Sequence, residues 1–131
     1  KKFNFDKIAA IESRGFVFAS AVSYILNKPF IMLRKKNKLP ADVYSVDFKL
    51  EYGTATIEVH KDSIEKDDNV LIIDDLIATG GTAEAAVKLV QKMNSEIVEC
   101  CFIIDLPDIG GRARLEDMGQ KVFTLCEFEG E

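Results

Sequence analysis

An α/β fold with a mostly parallel central sheet flanked by helices is what the sequence predicts, and three observations predict it. Short continuous apolar runs such as "VLIID" (Val70 to Asp74) have the character of strands covered on both faces. They alternate with segments such as "AEAAVKLVQKM" (Ala83 to Met93), whose apolar residues recur at helical spacing. Polar residues gather where the strands should end, in "ESRG", "RKKNK", "DDLIATGGT" and "DLPD". Ligands of parallel α/β sheets sit outside the C-terminal ends of the strands.

In chain order, "KIAAI" is a short apolar strand ending in "ESRG", and "FVFASAVSYIL" is a helix that stops at "NKP". "FIMLR" is the next strand and runs into the basic turn "KKNKLP". Between Ala41 and Asp67, "VYSVDFKL" and "TATIEVH" alternate apolar and polar residues around "EYG", the pattern of an extended hairpin or a mobile loop. "VLIID" and its helix follow, then a buried strand "IVECCFIID", a short helix and turn in "GGRARLEDM", and a last strand "KVFTLCEF". The alternation of strand and helix makes the sheet mostly parallel.

With 131 residues and 47% hydrophobic side chains, the chain fits a single domain spanning residues 1–131. Its formal charge of −5 argues against a protein that coats nucleic acid or an anionic membrane. No apolar segment has the length of a membrane span, and no secretory signal is visible. Cys100, Cys101 and Cys126 lack zinc-ligand spacing, and His60 is the only histidine. Cys100 and Cys101 read as small buried strand residues, His60 reads as a surface residue, and the expected compartment is a reducing cytoplasm.

The stretch from Asp74 to Thr82 carries the most chemistry. Gly80 and Gly81 allow a tight turn, Thr79 and Thr82 offer hydroxyls, and Thr82 is the expected N-cap of the helix that follows. A helix start after such a turn presents amides to a phosphate. The stretch is neither GxxxxGK[ST] nor GxGxxG, so nucleoside triphosphates and dinucleotides are disfavoured. Asp74 and Asp75 would repel a phosphate, and they suit vicinal hydroxyls, a magnesium ion or developing positive charge. A phosphorylated sugar has both ends. Arg14, with Lys35, Lys36 and Lys38 at another strand end, suggests a second anion.

These residues carry a resemblance. "VLIIDDLIATGGTAEAA" resembles the phosphoribosyl-pyrophosphate (PRPP) signature of type I phosphoribosyltransferases, and "SRGF", "RKKNKLP" and "KLEYG" resemble the adenine phosphoribosyltransferases among them. The likeness runs from Ile8 to about Phe128. It implies a type I phosphoribosyltransferase-like fold, and purine salvage in which adenine and PRPP become AMP and pyrophosphate, with Mg²⁺ as cofactor and a homodimer as the assembly. Asp74 and Asp75 would contact the ribose hydroxyls, while Ala78, Thr79, Gly80, Gly81 and Thr82 would hold the 5-phosphate. Arg14, Lys35 and Lys38 would bind pyrophosphate, and Leu106 would lie against the adenine ring. Glu51 and Tyr52, in a flexible loop spanning about 44–60, would be catalytic together with Asp75, and Glu51 is the candidate for proton transfer. No direct protein ligand to the metal is expected, since PRPP and water would hold Mg²⁺. In that family the peptide near Glu12 to Arg14 is often a non-proline cis bond. Matched to the family, the chain starts after the N-terminal hood that covers the purine, so the resemblance implies that the hood is missing.

Alternatives stay open within and beyond the family. Another base, namely hypoxanthine, xanthine or orotate, is the nearest. A PRPP-sensing regulator without enzyme activity would be expected to add a DNA-binding module or a basic surface. A phosphoacceptor receiver domain matches the length and the acidic pair but leaves "TGGT" unexplained.

Overall fold

The structure, a computed structural model, describes residues 4–36, 42–50 and 53–129. Among the described residues, seven strands form one sheet: β1 (Lys7–Ile11), β2 (Phe30–Lys35), β3 (Val43–Leu50), β4 (Gly53–His60), β5 (Asn69–Ile77), β6 (Glu96–Asp105) and β7 (Val122–Glu127). The same residues supply three helices, α1 (Arg14–Leu26), α2 (Gly81–Lys92) and α3 (Gly111–Asp117), with a 3-10 turn at Pro107–Ile109. The sheet order is β3-β4-β2-β1-β5-β6-β7. From β2 to β7 all neighbours are parallel, and β4 joins antiparallel at the β2 edge, followed by β3. Residues 43–60, read from sequence as a hairpin or mobile loop, thus supply two paired strands with register from Val43↔His60 to Leu50↔Gly53.

The chain winds outward from the middle in both directions. β1 leads through α1 to β2 on one side, and β5 leads through α2 to β6 on the other. Right-handed crossovers in opposite directions place the two helices on opposite faces. The core divides accordingly. Ile72, Ile77, Val87, Leu89, Val90, Phe102 and Leu115 pack on the side of α2 and α3. Ile8, Ala10, Leu71 and Ile73 pack with Ala19 and the half-buried Phe16 of α1 on the other. β1 and β5 contribute alternate residues to both clusters, which is why their sequences are continuously apolar. Each large side chain removed from water contributes about 1.5–3 kcal/mol. Cys100 is buried and Cys101 half-buried in β6, matching the packing role read from the sequence.

The helix ends follow local rules, with one correction. Asn27 closes α1 in the left-handed conformation (φ 54°), just before Lys28 and Pro29. α2 begins earlier than expected: its N-cap is Gly80 (φ 87°), not Thr82, which lies inside the first turn. Glycine takes this positive φ at no steric cost, and no side chain caps the helix start. Among the described residues, no helix is long and apolar enough to cross a membrane.

Candidate active site

β1 and β5 are adjacent and parallel, and their helices leave on opposite faces, so a crevice opens beyond their C-terminal ends. A cleft of about 240 Å³ lies there, lined by residues 11–14 and 74–83. Of the residues expected to act, it brings together Arg14, Asp74, Asp75, Ala78, Thr79, Gly80, Gly81 and Thr82. Lys35 lines an adjoining cleft with Glu12, Phe48, Thr56 and Thr82, and Glu12 and Thr82 belong to both. Leu106 lines neither cleft but sits at the neighbouring strand end, where its amide donates to Ile77 O at 3.0 Å. Lys38, Glu51 and Tyr52 lie outside the described residues.

Asp74 and Asp75 fall within the last residues of β5, because its pairing with β6 continues to Ile77↔Asp105. The two carboxylates are held differently. Asp75 Oδ2 lies 2.9 Å from Arg14 Nε, while Asp74 Oδ1 accepts the amide of Asp75 at 2.8 Å. Burial pushes the Asp74 carboxyl up to about 7, and the neighbouring Asp75 charge adds to the effect against the Asp75 amide and Arg14, which oppose it. The site thus holds two adjacent carboxylates in unlike surroundings, Asp75 paired with Arg14 and Asp74 pushed up by burial.

Gly15, the second residue of α1, fits where another residue would not. A Cβ there would stand 2.9 Å from Asp74 Oδ1 and 3.1 Å from Ile73 O. The first turn of α1 therefore rests directly on the end of β5 and presents Arg14 to Asp75. The Glu12–Ser13 peptide bond is cis, as the resemblance implies.

On the opposite side of the cleft the turn from Ala78 to Thr82 runs into α2. The first backbone bond of the helix is from Glu84 N to Gly80 O at 2.8 Å, so the amides of Gly81, Thr82 and Ala83 precede the helical ladder. Gly81 N lies 3.4 Å from Thr79 Oγ1. Amides, hydroxyls and a helix start thus converge on this side of the cleft, a donor set suited to an anion, and among the described residues no lysine lines it.

Sequence reasoning did not single out Glu12 and Arg34. Glu12 Oε1 accepts from Arg34 Nε and from Lys35 N, both at 3.0 Å. Burial raises the Glu12 carboxyl, but those two bonds and the two positive charges outweigh it and leave its pKa lowered. Glu12 therefore stays ionised and fixes Arg34 and the Lys35 backbone beside the crevice. The signal was available in part, since Arg34 immediately precedes the lysine run. Its carboxylate partner comes from another strand, which sequence spacing does not reveal.

A doubly wound sheet with an acidic pair beside a glycine turn at its central crevice defines the class of protein. A phosphoribosyl transferase domain is matched over residues 1–127, and the chain belongs to that family. Its relatives are more particular. The adenine phosphoribosyltransferase of Pelagibacter ubique is 70% identical over 130 residues, which cover 99% of this chain and 74% of that protein. The crystal structure of adenine phosphoribosyltransferase from Thermoanaerobacter pseudethanolicus is similar with a TM-score of 0.93 and 40% identity, covering 98% of this chain and 73% of that one. The enzyme from Saccharomyces cerevisiae, complexed with an imino-altritol bisphosphate and adenine, gives a TM-score of 0.89 at 37% identity, covering 95% of this chain and 69% of that one.

Proposed function

We propose that the chain is an adenine phosphoribosyltransferase, converting adenine and PRPP to AMP and pyrophosphate in purine salvage. The observation that carries this is the cleft in which Asp74 and Asp75 face the space beside the Thr79-to-Thr82 turn, in a chain 70% identical to a relative of that name. Adenine as the base is further supported by the yeast enzyme's complex with adenine.

The two ends of the cleft suit the two ends of a phosphorylated ribose. The amides and hydroxyls of Ala78 to Thr82 take the 5-phosphate, and Asp74 and Asp75 take the ribose hydroxyls. Arg14, now bonded to Asp75, is exposed enough to turn toward the pyrophosphate, together with Lys35 and Lys38. Leu106 borders the base, and Glu51 and Tyr52 serve the lid and proton transfer at adenine. As the bond from ribose C1 to pyrophosphate lengthens, the sugar gains oxocarbenium character, which the Asp75 carboxylate favours, and the basic side chains favour the leaving group. A lid that excludes water protects the cation from hydrolysis.

Hard oxygen donors suit Mg²⁺. The paired carboxylates fit that requirement, and a cation or its bound water beside them would favour the charged form of Asp74, which burial and then the Asp75 charge disfavour. Mg²⁺ carried in by PRPP would supply positive charge against the departing pyrophosphate. We place the enzyme in the cytoplasm as a homodimer.

The test is product formation from PRPP, Mg²⁺ and each of adenine, hypoxanthine, xanthine and orotate. AMP formed from adenine alone, with turnover lowered by Asp75→Asn and by Glu51→Ala, is the expected result. Tight PRPP binding without product from any base would replace the enzyme with a PRPP sensor.

A further inference from the structure

The turn that lines the cleft is held from behind by α3. Gly111 N donates to Ala78 O at 2.8 Å, and Arg114 Nη1 lies 3.4 Å from Thr79 O. The other terminal nitrogen of Arg114 is bonded to Glu84 in the first turn of α2, so one guanidinium joins the turn to the helix it starts. The fit is close: a Cβ on Gly111 would come within 2.4 Å of Ala78 O and 2.9 Å of Gly80 N, and one on Gly80 within 3.0 Å of Gly111 Cα. No α3 residue lines the cleft itself.

In a planar trans peptide the C=O and the following N–H point in opposite directions. Drawing the carbonyls of Ala78 and Thr79 toward α3 therefore turns the amides of Thr79 and Gly80 away from it. We propose that Arg114, with Gly111, is a positioning residue for 5-phosphate recognition: it fixes the direction of the turn's amides without touching substrate. This rests on the reading of residues 78–82 as the phosphate site. Glu84 belongs to the same device, because its carboxylate holds the guanidinium in place and is itself neutralised beside a site meant for an anion.

The experiment separates the two ends of PRPP by titrating ribose 5-phosphate and pyrophosphate individually into the full chain. Arg114 is 45% exposed at its side chain, so Arg114→Met is expected to fold. It should weaken ribose 5-phosphate by about tenfold, the size of one charge-assisted hydrogen bond. Pyrophosphate affinity should be unchanged, KM for PRPP should rise with kcat at saturation retained, and Arg114→Lys should recover part of the loss. Equal weakening of both ligands, or no change in ribose 5-phosphate, would overturn the proposal. Thr82→Val in the parent chain tests the underlying reading separately. If it leaves ribose 5-phosphate binding intact, the phosphate lies elsewhere and the role of Arg114 falls with it.

Discussion

Asp74 and Asp75 are adjacent in sequence but differently held, Asp75 against Arg14 and Asp74 against the Asp75 amide, and the raised Asp74 carboxyl gives the site a pH response. The folded protein holds the Asp74 proton to about pH 7, whereas in the unfolded chain the carboxyl titrates near the ordinary 3.8. Between those values the folded state binds the extra proton, so stability falls as pH rises through the window and levels off above it. Thermal melts of the ligand-free protein from pH 4 to pH 8 should show this slope, and Asp74→Asn should flatten it. Asp105 contributes in the same direction. It is 1% exposed, and among the described residues neither of its carboxylate oxygens has a hydrogen-bond partner. Burial first, and the Glu127 charge next, raise its pKa. Asp105→Asn should therefore leave the fold intact and raise the melting temperature most at alkaline pH. Gly15→Ala is expected to cost about 1–3 kcal/mol through overpacking against Asp74. PRPP affinity should fall with it, because Arg14 moves when the first turn of α1 is displaced. That the acidic pair stands at a ligand-facing strand end was legible in the sequence, and both residues line the cleft, but their asymmetry was not: it comes from which carboxylate meets Arg14 and which is buried, and both depend on α1 packing across β5.

At the scale of elements, the strands and helices were legible because each buried strand is a continuous apolar run and α2 repeats its apolar residues at helical spacing. What escaped was where elements stop. β5 extends through both aspartates because pairing with β6 carries it on, and α2 starts at a left-handed glycine rather than at a threonine cap. The short helix α3 reads from sequence as a short helix with its turn, since nothing local says that Gly111 meets a loop some thirty residues upstream. Leu115 is its fully buried anchor. Leu115→Ala should destabilise the fold by about 2–5 kcal/mol, measured by urea unfolding. Ribose 5-phosphate binding should weaken at denaturant concentrations where the sheet is still intact, because the support behind the turn loosens before the core does.

For the molecule as a whole, the sheet face shared with α1 is only partly covered. A cleft of about 600 Å³ lies between α1 and the last strands, lined by Val17, Phe18, Leu26, Cys101, Phe123 and Leu125 among others. Farther along α1, Tyr24 and Ile25 are 88% and 75% exposed. Monomeric proteins rarely leave such surfaces open. The proposed homodimer is checked by sedimentation velocity: association should increase with concentration, and Ile25→Glu should abolish it with little change in melting temperature if α1 is the contact. Composition offered no view of this face, because an apolar residue on a helix looks the same whether it meets its own sheet or another surface. The central crossing of the sheet has a further consequence. The residues 11–14 and 74–83 that form the cleft are far apart along the chain and meet only because β1 lies against β5 in the register Lys7↔Val70 to Ala10↔Ile73. Occupancy of the cleft is therefore a reporter of that one strand pairing. At about 100 times its Kd a ligand adds ~2.7 kcal/mol to the folded state, and this added protection should appear in amide hydrogen exchange first along β1 and β5, with the β3–β4 hairpin at the far edge continuing to exchange much as before.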